Sequence, residues 1–189
     1  MIKILKIITL NLFLLISMSS FAKDSNTFLI ETNRGNIIIK VYPEKAPKTV
    51  ANFKNYVANG FYNGLIFHRV INNFMIQGGG FDENMMQKKT NDPIINESNN
   101  GLKNKPYTLA MARTNDPNSA TSQFFINLID NSFLNYTGKS SSKIGYCVFG
   151  SVIQGKDIVD KIGKYKTQLK NGQSDVPIKK VVIKSITQR

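Results

Sequence analysis

The chain has 189 residues, 41% of them hydrophobic, enough for one domain with a real core. Its formal charge is +13, but the lysines are dispersed, the longest basic runs are the pairs Lys88–Lys89 and Lys179–Lys180, and there is no Trp; this pattern argues for a solvated basic surface and against nucleic-acid binding. One cysteine, Cys147, and one histidine, His68, exclude an internal disulfide and argue against a protein-built zinc site.

Residues 1–22 stand apart. Lys3 and Lys6 form a basic start, the apolar run IITLNLFLLISM follows at 7–18, and Ser20 and Ala22 occupy small-residue positions before a cut. This is the layout of a secretory signal peptide cleaved after Ala22. The alternative is an uncleaved membrane anchor, but the run falls short of the roughly 20 apolar residues a span needs. The expectation is an exported chain beginning at Lys23, without stable membrane insertion, whose charge falls by two to +11. A lone cysteine suits an oxidising compartment, because it has no intramolecular partner for mispairing.

The mature chain, 23–189, reads as one domain with neither repeats nor linkers. FLIET (28–32) and NIIIKVY (36–42) flank the turn NRG and predict a hairpin. APKTVANFKNYVANG (46–60) shifts to a helical period, with Pro47 in the first turn, Val50, Phe53 and Val57 as the apolar stripe, and Gly60 at the end. GLIFHRV (64–70) and FMIQGG (74–79) read as strands joined at Ile71–Asn72–Asn73. Residues 81–105 are polar and irregular, a long loop of the kind that wraps a core or serves a function. YTLAMA (107–112), SQFFINL (122–128), GYCVFGSV (145–152) and VVIKSI (181–186) are further strands, and KDIVDKI (156–162) is a short amphipathic helix. Strand and helix do not alternate regularly. A mainly β fold follows: an eight-stranded antiparallel sheet closed into a barrel, with two helices over its ends.

The commonest catalytic arrangements find little support. A Ser–His–Asp or Cys–His set would need His68, and strand alternation sends His68 and Arg69 to opposite faces, leaving His68 as a hydrogen-bonded structural residue. QGGG lacks the spacing of a nucleotide loop, and the carboxylates are scattered. What stands out is polar residues in or beside aromatic-rich strands: Arg69 in FHRV, Gln77 in FMIQGG, Arg113 in AMART and Gln123 in SQFFI. They fit an apolar pocket with a few directed donors, able to bind a peptide and orient one carbonyl. They fit equally well a set of ordinary barrel strands with snorkelling arginines.

FHRVINNFMIQGGGF, LAMARTNDPNSATSQFFINL and FLN…GYCVFG, in that order, resemble the cyclophilin family of peptidyl-prolyl cis–trans isomerases, especially its bacterial branch, from about Thr27 to Thr187. The resemblance implies the capped eight-stranded barrel and an isomerase activity that needs no cofactor and no metal. Carried over by motif, it implies Arg69 as the catalytic arginine. It implies Phe74, Met75, Gln77, Ala112, Arg113, Gln123, Phe125, Phe133, Leu134 and Tyr136 as the substrate-binding set.

The chain also departs from the pattern. Phe133 stands where many eukaryotic members carry Trp, Tyr136 about where they carry His, and Arg113–Thr114 where they carry Asn–Ala. The family inhibitor cyclosporin contacts that Trp, so the resemblance implies at most weak cyclosporin binding. Its implied partners are proline-containing unfolded or partly folded polypeptides, met by a monomer. With residues 1–22, the bacterial likeness points to the periplasm and to the folding of exported proteins. A binding module or chaperone on the same fold is the competing reading, since a fold does not dictate a role.

Overall fold

The structure, a computed structural model, describes residues 26–189. The expected signal peptide, residues 1–22 with its cut after Ala22, lies outside the described residues. Strands β1 (Thr27–Thr32) and β2 (Gly35–Val41) form the first hairpin, paired from Thr27 with Lys40 to Thr32 with Gly35. Helix α1 (Pro47–Ala58) follows, with Pro47 in its first turn. Next come β3 (Leu65–Ile71), β4 (Met75–Asp82), β5 (Thr108–Met111), β6 (Phe124–Asn127) and β7 (Val148–Gln154). Helix α2 (Lys156–Gly163), β8 (Thr167–Lys170), β9 (Gln173–Pro177) and β10 (Ile183–Gln188) complete the chain.

The main sheet has eight strands in the order β10-β1-β2-β7-β5-β6-β4-β3, and every pairing in it is antiparallel. Its edges meet at a bridge between Ile66 and Val182, supported by Gly64 N–H to Ile183 O and Phe67 N–H to Val181 O, both 2.9 Å. The expected barrel with two helices is therefore present.

Alternation explains the core. Phe28 and Ile30 on β1, Ile37 and Ile39 on β2, Ile76 on β4, Leu109 on β5, Ile126 on β6 and Phe149 on β7 are buried together. Helix α1 adds Val50, Phe53 and Tyr56, and the Phe53 ring contacts Phe28, Phe124 and Phe149 at 5.4, 6.1 and 5.5 Å between centroids. Burying large aromatic rings in edge contact supplies much of the apolar stabilisation of such a core. The first turn of α1 lacks a cap from its own chain segment. The long loop supplies one: Glu97 accepts Lys48 N–H at 3.1 Å and both the N–H and the hydroxyl of Thr49 at 2.8 Å. A carboxylate there satisfies orphan amides and complements the helix dipole.

Two features depart from expectation. Strands β8 and β9 form a separate hairpin that hydropathy does not signal, because most of its residues are polar and exposed. Its turn is Asn171–Gly172, both with positive φ (49° and 76°), a dipeptide strongly favoured in two-residue hairpin turns. Second, the pairing of β3 with β4 slips twice, so that Phe67 faces Gly78 while Arg69 faces Gln77. His68 is the extra residue of a bulge. Simple alternation therefore fails at the place where it predicted His68 facing away from Arg69.

Candidate active site

One row of the sheet crosses five strands. Arg69 on β3 pairs with Gln77 on β4, Gln77 with Phe125 on β6, Phe125 with Ala110 on β5, and Ala110 with Val148 on β7. The neighbouring positions Ile76, Ile126 and Leu109 point into the barrel, so this row points out of it. Met75, Ala110, Phe125 and Val148 form a second, smaller apolar cluster on that outer face, against which Phe74, Ala112, Leu134 and Tyr146 pack. The result is a groove of about 320 Å³ outside the barrel, apolar on its floor and polar at its ends.

Of the sequence-expected residues, Arg69, Phe74, Met75, Gln77, Ala112, Arg113, Gln123, Phe125 and Leu134 line this groove. Phe133 stands at its rim: it is 72% exposed and stacks on Phe74 at 5.7 Å and 24°. Tyr136 lies elsewhere, in a separate hollow with Asn96, Ser98, Asn118 and Lys139. The tyrosine in the groove is Tyr146, edge-on to Phe125 at 5.7 Å and covered by the Arg113 guanidinium at 4.5 Å. Tyr146 precedes β7, and its N–H goes to Leu134 O at 2.9 Å. The start of GYCVFGSV is thus a wall-forming loop, where a strand was expected.

Polar groups set the ends. Gln77 Nε2 donates to Gln123 Oε1 at 2.9 Å. Gly80 makes room for this pair, because a Cβ there would meet Gln123 Cγ at 2.5 Å. Arg113 is committed to backbone: its Nη2 donates to Ile144 O at 2.6 Å and its Nη1 to Thr114 O at 2.8 Å. Ala112 N–H donates to Gln123 O at 2.9 Å. Arg69 is different. Its side chain is 41% exposed, and its Nε lies 3.5 Å from Oδ2 of Asp175 on the β8–β9 hairpin. Gln173 of the same hairpin also lines the groove.

His68 lies beneath this end, 3% exposed, with its ring 4.6 Å from Phe81 and its Nδ1 unpartnered. Burial, with a smaller contribution from the neighbouring Arg69 charge, pushes its pKa down from 6.5 to about 4. Its ring is neutral at neutral pH, so Arg69 and not His68 is the cation of this pair.

A buried asparagine network supports the groove from behind. Asn131 Nδ2 donates to Phe74 O at 2.9 Å and to Asn127 Oδ1 at 2.7 Å. Asn127 Nδ2 donates to Asn104 Oδ1 at 3.2 Å, and Asn104 Nδ2 to Leu134 O at 3.1 Å. These bonds tie Phe74 and Leu134, from distant segments, to one internal frame. Sequence reasoning gave these asparagines no role, although Asn104 falls in the expected loop and Asn127 in an expected strand, and it missed His68, Phe81, Tyr146 and Gln173 as lining residues. The Asn171–Gly172 pair was the available signal for the hairpin that carries Gln173 and Asp175.

Among the described residues, no three His, Cys, Asp or Glu side chains gather as a metal set, and no helix is long and apolar enough to cross a membrane.

Residues 27–188 match the family model described as "Cyclophilin type peptidyl-prolyl cis-trans isomerase/CLD". Peptidyl-prolyl cis-trans isomerase B of Escherichia coli (strain K12) is 58% identical over 156 residues, covering 82% of this chain and 95% of that protein. A peptidyl-prolyl cis-trans isomerase of Streptomyces antibioticus is 55% identical over 160 residues, covering 85% and 96%. Among solved structures, a Cryptosporidium parvum cyclophilin type peptidyl-prolyl cis-trans isomerase, crystallised in the presence of the dipeptide Ala-Pro, superposes with a TM-score of 0.68 at 28% identity, covering 86% of this chain and 98% of that one.

Proposed function

The chain belongs to the cyclophilin-type peptidyl-prolyl cis–trans isomerases and is an enzyme of that kind; on that premise we propose that it isomerises X-Pro bonds without covalent chemistry, with Arg69 as the charged donor. Amide resonance opposes rotation with a barrier of about 18–20 kcal/mol. X-Pro bonds populate both isomers yet exchange over tens to hundreds of seconds, slowly enough to limit folding. No bond needs to break. A catalyst has only to favour the twisted amide over the planar one.

As the amide twists, the proline nitrogen regains its lone pair and becomes a hydrogen-bond acceptor. A planar guanidinium that stays charged at any working pH suits that acceptor. The observation that carries the reading is the in-register row of Arg69, Gln77 and Phe125, which sets one cation beside an apolar floor. On this reading Met75, Phe125, Phe74 and Leu134 receive the proline ring, and Phe133 extends the wall at the rim. The apolar surroundings lower the local dielectric and strengthen the donor's effect on the developing charge. Gln77 and Gln123 brace the Arg69 end or bind the substrate backbone, and Ala112 and Arg113 flank the residue before proline. Tyr136 keeps no part in it, and Tyr146 takes the wall position.

The substrates on this reading are proline-containing unfolded or partly folded polypeptides, in keeping with the Ala-Pro dipeptide supplied to the Cryptosporidium protein. The N-terminal pattern supports an exported protein acting in the periplasm on other exported chains. The exposed phenyl ring of Phe133, smaller than an indole, supports weak cyclosporin binding.

The test is Arg69→Ala in an NMR exchange or protease-coupled assay on a proline peptide, with folding checked by circular dichroism. We expect kcat/KM to fall at least about tenfold, or about 1.4 kcal/mol of transition-state stabilisation. Arg69→Lys, which keeps the charge and loses the fork, is also impaired. Unchanged turnover in folded Arg69→Ala removes arginine from the mechanism.

A further inference from the structure

Arg69 is a long side chain with several torsions, and it is partly exposed. A donor in that state spends much of its time misaligned, so something must hold it. Gln77 is its cross-strand neighbour but hydrogen-bonds to Gln123. The charged group that Arg69 meets among the described residues is Asp175, and the contact is made through Nε. Engagement at Nε leaves the two terminal nitrogens of the fork for a substrate.

The backbone around Asp175 is built for this contact. In the β8–β9 ladder, Gln168 pairs with Val176 and Lys170 with Gln173, so Leu169 alone faces both Ser174 and Asp175. This is a bulge, a device that re-aims a side chain. Asp175 sits in it at φ 63°, a left-handed conformation that Asp and Asn tolerate better than other non-glycine residues. The hairpin is anchored on both sides. Val176 is buried with Ile66 and Met85, Asn171 Nδ2 reaches Asn84 O at 3.3 Å, and Ile178 N–H closes the hairpin's own open end on Lys166 O at 2.9 Å. Ser174 Oγ lies 3.2 Å from Oδ2 of Asp175, the oxygen facing Arg69. A carboxylate on a fixed hairpin, in a backbone conformation that few residues accept, is aimed at the root of the guanidinium.

We propose that Asp175 is a positioning residue for catalysis: it holds Arg69 by its Nε so that the terminal amino groups face the prolyl bond. This rests on Arg69 being the catalytic donor. Asp175 touches Arg69 and not the substrate, so its effect falls on turnover more than on peptide binding.

The backbone conformation provides two clean variants. Asp175→Asn removes the charge and keeps a residue at ease with positive φ; Asp175→Gly removes the side chain and relieves the backbone altogether. Both are made in the full chain and again with Arg69→Ala. Turnover of a proline peptide, its affinity by NMR titration and the Arg69 Nε–H resonance are measured. We expect both variants to lower kcat/KM by about three- to fivefold, the scale of one partly exposed ion pair. Peptide affinity stays within about twofold. The Arg69 Nε–H resonance shifts in the free enzyme, and the Asp175 changes cause no further loss once Arg69 is alanine. Wild-type turnover in both Asp175 variants, with Arg69→Ala inactive, overturns this proposal and leaves the Arg69 assignment standing. An equal loss with and without Arg69 makes Asp175 merely structural and overturns it too. Full activity of Arg69→Ala overturns both.

Discussion

Lowering the pH from 7 to 5 should weaken the fold through one side chain, His68. It is the only histidine in the chain, so it is the one side chain whose ordinary pKa falls between those values. In the folded protein its ring is 3% exposed, packed on Phe81, with an unpartnered Nδ1 and the Arg69 charge beside it. Burial first, and Arg69 after it, lower its pKa from 6.5 to about 4, against a backbone hydrogen bond with Ile66 that works in the other direction. The folded state therefore resists a proton that the unfolded chain takes up. Below pH 6.5 the unfolded state binds more protons, and stability rises with pH. The contribution is complete above 6.5 and is lost as the pH falls through about 4. The gap amounts to about 3 kcal/mol in all, of which about 2 kcal/mol is gone by pH 5. Urea denaturation at the two pH values reads this directly. With a slope of about 2 kcal/mol per molar, the midpoint should drop by about 1 M. In His68→Gln, whose absolute stability differs, the midpoints at pH 7 and 5 should coincide. A wild-type midpoint that does not move, or a His68→Gln midpoint that falls equally, would refute the account of His68 as a ring buried neutral.

Two further outcomes follow from the groove's surroundings. Asn131→Ala should cost about 1–3 kcal/mol, because it leaves Asn127 Oδ1 without its buried donor and Phe74 O with only the Leu128 N–H. Thermal denaturation measures that loss, and a raised KM in the peptide assay reports the loosened Phe74 and Leu134. Cys147 is buried and its thiol is pushed up to about 11, mainly by burial, with the Thr49 hydroxyl 3.5 Å away. It should react with a thiol reagent at pH 8 far more slowly in the native protein than in urea, and equal rates would show that the sulfur is accessible.

Much of this architecture is written in local pattern. The eight strands of the barrel and its two helices follow from period-2 and period-3.6 runs, because each element has to bury one face. Arg69, Gln77 and Gln123 are visible as polar residues in apolar strands, although composition alone left a pocket and a snorkelling surface equally open. Tyr136 and Tyr146 show where pattern stops. Both flank the same loop, and which of them reaches the groove depends on how that loop packs against Leu134 and Arg113.

Two decisions belong to the tertiary structure alone. Whether His68 faces away from Arg69 or lies beneath it turns on a bulge, which is a property of the pairing between β3 and β4 and of neither strand by itself. Whether Arg69 has a carboxylate partner turns on a polar hairpin more than 100 residues later in the chain, anchored by Val176 against Ile66. The sequence by itself determined which segments form the eight strands of the barrel and which residues are unusual within them, because hydrophobic period is a local quantity. Only the folded chain decided register and neighbours across segments, because cross-strand pairing and loop packing are set by contacts that no single segment contains.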